Sequence, residues 1–142
     1  MTQFQKNITD RLVRLNQASD FANKKAQFNR VYLMALVDVD WNEIAQVNNF
    51  QAAFLDLMNE KHPTLLKQFQ KHIEERFYEM YSNSEDENER KYTPKNELVL
   101  HKIQVPSQQS DDWQLMYEMN SDDTIFHVDF EGWTYKTIGV TH

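Results

Sequence analysis

Cysteine is absent from this chain of 142 residues. That excludes a disulfide framework, a thiolate nucleophile and any zinc site built on cysteine, and it fits a reducing compartment. Glycine is nearly as scarce, with only Gly132 and Gly139 present. A loop that cradles phosphate needs several glycines to bring backbone N–H groups up to the anion. Dinucleotide fingerprints, P-loops and the Gly-x-Ser-x-Gly elbow are therefore excluded. No run of about 18 apolar residues is available to span a bilayer. The opening Met1-Thr2-Gln3-Phe4-Gln5-Lys6 lacks the apolar core of a secretory signal. These features predict a cytoplasmic protein with no membrane partner.

What is present is a large aromatic complement of nine Phe, six Tyr and three Trp, enough to build a core without staples at this chain length. The net charge is −7, and it is unevenly placed. Residues 1–81 carry ten acids and ten bases, whereas residues 82–142 carry twelve acids and five bases. A field of this sign repels nucleic-acid phosphates and attracts basic partners. Nucleic acid is accordingly not expected as a ligand.

The hydrophobic period divides the chain in two. Phe4, Ile8, Leu12 and Leu15 step by four, four and three, which is one helical stripe. Ser19 and Asp20 can cap a second helix containing Phe21, Phe28, Val31, Tyr32, Ala35 and Leu36. Asp40-Trp41-Asn42-Glu43 has the capping-box pattern and predicts a third helix through Ile44, Val47, Phe54, Leu57 and Met58. His62-Pro63 predicts a break there, followed by a fourth helix marked by Leu66, Phe69, Ile73, Phe77 and Met80. Residues 82–96 form an acidic connector that begins Ser-Asn-Ser-Glu-Asp-Glu-Asn-Glu-Arg-Lys.

Beyond Pro94 the period becomes two, with strands expected at 97–105, 113–119, 124–130 and 133–140. Glu131-Gly132 is a credible hairpin turn. Pairing Trp113 with Phe130, Leu115 with Val128, Tyr117 with Phe126 and Met119 with Thr124 gathers the large side chains on one face. Pairing Phe130 with Trp133 and Val128 with Tyr135 adds Trp133 and Tyr135 to it. The opposite face receives Gln114, Glu118, His127, Asp129, Thr134 and Lys136, together with Met116, Ile125 and Ile138. A slip of one residue would mix the two sets. The expected fold is a single α+β domain, with about four N-terminal helices packed on one face of a C-terminal antiparallel meander of about four strands.

Chemistry-bearing residues are sparse in pattern. The histidines are His62, His72, His101, His127 and His142. His72 lies three residues before Glu75, half of a metal spacing, but no second pair follows. No serine sits in a nucleophile motif. No catalytic residue, metal or cofactor is therefore assigned. The aromatic stripe belongs under the helices rather than in a base-stacking platform, because no basic residues surround it.

The acidic residues form the one constellation above background. Alternate turns of a meander lie at opposite ends of the sheet. Asp122, Asp123, Glu97 and the connector carboxylates Glu85, Asp86, Glu87 and Glu89 are expected at one end. Asp111, Asp112 and Glu131 are expected at the other. Together they make a candidate surface for a basic protein partner, whose capture they would speed electrostatically.

The segment Trp113–His142, a strand, an acidic turn, an aromatic strand, a glycine turn and a last strand, resembles that of small acidic bacterial immunity-type proteins. The resemblance implies a compact, intracellular, non-catalytic inhibitor of a toxin domain. The leading expectation is thus a protein-binding domain of immunity type, neutralising a basic toxin such as a nuclease. Two alternatives stand beside it. One is a structural or regulatory subunit associating through Met116, Ile125 and Ile138. The other is a small enzyme using carboxylates with His127 or His72.

Overall fold

In the computed structural model, which describes residues 1–23, 48–106 and 109–142, the first helix (α1, Gln3–Asn16) is set by Thr2. The Thr2 hydroxyl accepts the Gln5 N–H at 3.1 Å and donates to Asp111 Oδ1 at 2.9 Å. The first turn is thereby fixed and tied to the far end of the chain. The expected stripe is present: Phe4, Ile8 and Leu15 are buried, and Leu12 packs half-buried against them.

The second helix (α2, Asn49–Tyr81) is a correction to the reading of two helices broken at Pro63. It is continuous, with Pro63 in its interior. The physical reason is its buried stripe. Phe50, Phe54, Met58, Leu65, Phe69, Ile73, Phe77 and Tyr81 stay on one face across the proline, and ending the helix would expose half of them. A side chain of this size contributes about 1.5–3 kcal/mol when buried, so the stripe outweighs the roughly 3 kcal/mol cost of an interior proline. The start also differs from expectation. A capping box of Asn48 and Gln51, each side chain bonded to the other's backbone N–H, sets it. The expected second helix beyond Asn23, and the Asp40–Glu43 capping box with Ile44 and Val47, lie outside the described residues.

A 3₁₀ turn (Glu89–Lys91) and a four-residue helix (α3, Pro94–Glu97) lead to the sheet. Its strands are β1 (Leu98–Gln104), β2 (Asp112–Met119), β3 (Ile125–Glu131) and β4 (Thr134–Thr141), all antiparallel in the order β1-β2-β3-β4. The fold is α+β, with helices on one face of a meander. The β2–β3 register is the expected one: Trp113↔Phe130, Leu115↔Val128 and Tyr117↔Phe126. The Met119 N–H bonds to the Thr124 carbonyl at 3.2 Å.

The β3–β4 register corrects the expectation. The two-residue loop is Gly132-Trp133, not Glu131-Gly132, so Phe130 pairs with Tyr135, Val128 with Ile138 and Phe126 with Val140, with a bulge between Asp129 and Phe130. Gly132 explains the choice. Its φ is +58°, a conformation that favours glycine, and a Cβ there would lie 3.4 Å from the Phe4 Cβ. The bulge turns Ile138 and Val140 toward the helices, where both pack on the core. Ile138 therefore leaves the outer face on which it was expected beside Met116 and Ile125.

The layers meet through rings. Phe54 lies edge-on to Trp113 at 4.9 Å, Phe69 to Phe130 at 5.8 Å, and Phe77 stacks on Phe126 at 6.1 Å. Arg11 joins α1 to α2 by bonds to Asp56 (2.8 Å) and to both oxygens of Glu60 (2.9 and 2.7 Å). The hydrogen bond to Glu60, joined by that to Asp56, raises the guanidinium above its usual range against the effect of burial. Gln68 meets the start of β4 with both ends of its amide. Its nitrogen donates to the Trp133 carbonyl at 2.9 Å, and its oxygen accepts the Tyr135 N–H at 3.0 Å. No helix among the described residues is long and apolar enough to cross a membrane.

Pro63 is exposed, so Pro63→Ala removes helix strain without removing packing. The variant is expected to gain about 2 kcal/mol, the interior-proline penalty less the entropy that proline takes from the unfolded chain. A urea midpoint at or below that of the parent would contradict it.

Candidate functional site

The carboxylates stand at the two ends of the sheet as their turns require, but they differ in what they already hold. Glu97, 8% exposed, accepts the Ser121 N–H at 2.9 Å and the Ser121 hydroxyl at 2.8 Å, one on each oxygen. It closes the β2–β3 turn and does not stand on the surface. Asp122 accepts the Thr124 N–H at 2.8 Å and the Tyr81 hydroxyl at 2.8 Å. Burial works to raise this carboxyl, but the bonds from Thr124 and Tyr81 outweigh it and hold it below the usual 3.8. Burial also pushes the Tyr81 hydroxyl up to about 12. Asp111, at the opposite end, accepts from Thr2 at 2.9 Å and Gln5 at 3.1 Å, and so anchors α1.

The connector is ordered by its own side chains. Ser84 donates to Glu89 at 2.8 Å, Asp86 accepts the Asn88 N–H at 2.8 Å, and Arg90 reaches the Ser84 carbonyl at 2.7 Å. Glu87 lies 3.7 Å from Lys91. The carboxylates that remain exposed are Glu85, Asp86, Glu87 and Asp123 at one end, and Asp112 and Glu131 at the other.

The sheet face opposite the helices carries an arrangement that the loops do not. Gln104 pairs with Gln114, Gln114 with Asp129 and Asp129 with Thr137, so one polar side chain from each strand falls in a single row. The Gln114 amide donates to Asp129 Oδ1 at 2.9 Å. Its oxygen faces His127 Nδ1 at 3.3 Å, while His127 Nε2 faces the Thr141 hydroxyl at 2.9 Å. Because the Gln114 oxygen can only accept, the neutral His127 ring carries its proton on Nδ1 and takes the Thr141 hydroxyl proton on Nε2.

A recess of about 370 Å³ opens over this row at the Asp112/Glu131 end, lined by Gln104, Asp112, Trp113, Gln114, Asp129, Phe130, Glu131, Lys136 and Thr137. Lys136, the cation in that lining, is turned to Glu131 at 3.5 Å. Burial pushes the Asp129 carboxyl above its usual value; His127 opposes this and the charge of Asp112 adds to it. A shallower hollow of about 530 Å³ adjoins, lined by Met1, Thr2, Gln5, Gln109, Ser110, Asp111, Asp112 and Glu131.

The remaining histidines do not converge. His72 stacks on Tyr135 at 5.2 Å, His101 meets Glu118 at 3.5 Å, and His142 reaches the Thr124 hydroxyl at 3.0 Å. Among the described residues no three His or acidic side chains are grouped to hold a metal ion. Alternation alone places Gln114 and Asp129 on the polar face. Gln104 and Thr137 escape sequence reading because their place in the row depends on the two bulges. No family model, curated protein or solved structure matches the chain.

The two shifted aspartates generate a prediction of opposite signs. Asp122, held low, contributes stability that is present above pH 3.8 and is lost as pH falls through its folded value. Asp129, held high, favours the folded state below pH 3.8, and that advantage is lost as pH rises through its folded value. Asp122→Asn should therefore flatten the acid side of the stability–pH curve. Asp129→Asn should gain stability relative to the parent between acid and neutral pH. Urea titrations across pH 2.5–7 measure both, and parallel curves for parent and variants would refute the assignment.

Proposed function

We propose that this chain is a non-catalytic protein-binding domain that captures a basic partner, and that it acts as an immunity protein neutralising a basic toxin domain such as a nuclease. The observation that carries the reading is the division of labour among its carboxylates. Glu97, Asp111 and Asp122 are bound into the fold, while Glu85, Asp86, Glu87, Asp123, Asp112 and Glu131 stand exposed at the sheet ends. The aromatic face is used up in the core, and the strands present more acids than bases, with Asp112, Glu118, Asp129 and Glu131 against Lys102 and Lys136. Such a surface accelerates encounter with a basic protein and disfavours acidic ones. Against a nuclease it would fill the groove that binds phosphate, inhibiting by charge and by bulk. The toxin-neutralising form of the reading is supported by the strand–turn pattern of residues 113–142.

The test begins with the product of the adjacent reading frame, purified and titrated with the full chain at low and at physiological salt. Tight binding that slows with added salt, together with rescue of cells from that product, is the expected result. Neutralising three of the exposed carboxylates at the connector end (Glu85→Gln, Glu87→Gln, Asp123→Asn) should lower the association rate roughly tenfold, within the range ascribed to steering, and reduce its salt dependence. A neighbour that neither binds nor harms cells would overturn the immunity reading. Binding whose rate ignores both salt and these substitutions would overturn the electrostatic one.

A further inference from the structure

Asp122 stands at the end of a line of hydroxyls that leads to an imidazole. Thr124, 2% exposed, immediately precedes β3 and meets side chains from two other parts of the chain. Its Oγ1 lies 3.1 Å from the Tyr81 hydroxyl at the end of α2 and 3.0 Å from Nδ1 of His142, the residue after β4. The Tyr81 hydroxyl lies 2.8 Å from Asp122 Oδ2. Counting protons fixes the direction of the line. Asp122, held below 3.8, is a carboxylate at neutral pH and only accepts. Tyr81, pushed up to about 12, keeps its one proton and gives it to Asp122. The Tyr81 oxygen then accepts from Thr124, whose single proton is thereby used. Nδ1 of His142 is left as the donor to Thr124.

We infer that this line is a pH-responsive clasp on the end of β4, closed by the protonated His142 ring and loosened when the ring loses its proton. The imidazolium carries a proton on both nitrogens, so it supplies the Nδ1 donor outright. Its bond to Thr124 is charge-assisted, about twice as strong as a neutral one, and its charge opposes that of Asp122. A neutral ring ordinarily prefers its proton on Nε2. In that form Thr124 can bond the ring only by withdrawing its proton from Tyr81. The neutral ring therefore adopts its less favoured tautomer, breaks the line or lets go. The clasp holds a border of the sheet, since β4 pairs with β3 alone among the described strands. The charged and titratable groups around it are Asp122 and Asp123 in the turn, Glu97 bound to Ser121 of that turn, Tyr81 on α2, and Glu89, whose charge acts on Tyr81. On the opposite face His127 meets the Thr141 hydroxyl at 2.9 Å. Carboxylates and phenols ordinarily titrate outside the window from about pH 5.5 to 8.5, so the two histidines are the groups that change within it.

The experiment is NMR on the full chain with isotopically labelled histidine rings. At about pH 5.5 the His142 ring is expected to be ordered, with an order parameter of roughly 0.8. At about pH 8.5 that value should fall toward about 0.6 or below, while an Nε2–H population appears in long-range ring spectra. Thr124→Val keeps the shape and removes the hydroxyl, and should leave the ring mobile at both pH values. Thr124→Ser should retain the response. His127→Gln should retain it as well, which separates this ring from the one beside Thr141. A His142 ring equally ordered, or equally mobile, at the two pH values would overturn the inference. So would an ordered ring protonated on Nε2 alone, or a Thr124→Val protein that responds like the parent. Should Thr124→Val fail to fold, the parent decides the matter by the order and the proton position of its ring.

Discussion

The removal of one aromatic sheet face from water governs the rest of this molecule. Trp113, Phe126 and Phe130 can leave solvent only if a single long apolar stripe lies along them, and α2 provides it from Phe54 to Phe77. Each ring pair adds about 0.5–1.5 kcal/mol to the transfer of its area. The contact therefore dictates features that would otherwise be unfavourable. It keeps the helix intact through Pro63, it holds the β2–β3 register, and it places every polar strand residue on the opposite side.

The same contact explains how far the sequence could be read. Periodicity of two marked four strands and their inward rings, because a buried face repeats on alternate residues whatever the loops do. Trp113, Leu115, Phe126, Val128 and Phe130 were legible for that reason. Periodicity is blind to bulges, however. The turn at Gly132-Trp133 shifted β4 by two against β3, and the extra residue near Lys136 added one more, which moved Ile138 from one face to the other. Local proline chemistry was likewise overruled by a tertiary stripe it could not sense. The polar row of Gln104, Gln114, Asp129 and Thr137 was half visible: alternation marks two of its members, and only the three-dimensional ladder aligns the other two. The ends of the sheet were legible as acidic, but not which acids were committed to the fold, since that depends on partners such as Ser121 and Tyr81 that come from distant positions.

The carboxylates around the sheet consequently belong to two populations. One is committed to the architecture, its oxygens holding backbone, hydroxyl and amide donors. The other stands exposed at the sheet ends and beside the recess. A net charge of −7 overstates what a partner would meet at any single spot, while the arrangement of the exposed subset gives the surface a direction, with a loop-built rim at one end and a strand-built hollow at the other.

The Gln68 amide has a consequence for how the sheet ends. Its nitrogen and oxygen contact Trp133 and Tyr135 in the pattern by which one residue of a parallel neighbour would bridge Thr134. A helix side chain thus plays the part of a missing fifth strand, and a foreign strand seeking β4 would have to displace it first. On the other border, the irregularity between Leu100 and Lys102 interrupts the flat template that an incoming chain needs. With one border occupied at the start of β4 and the other bent at Lys102, the meander offers a less regular template for edge-to-edge pairing than a flat, open sheet would.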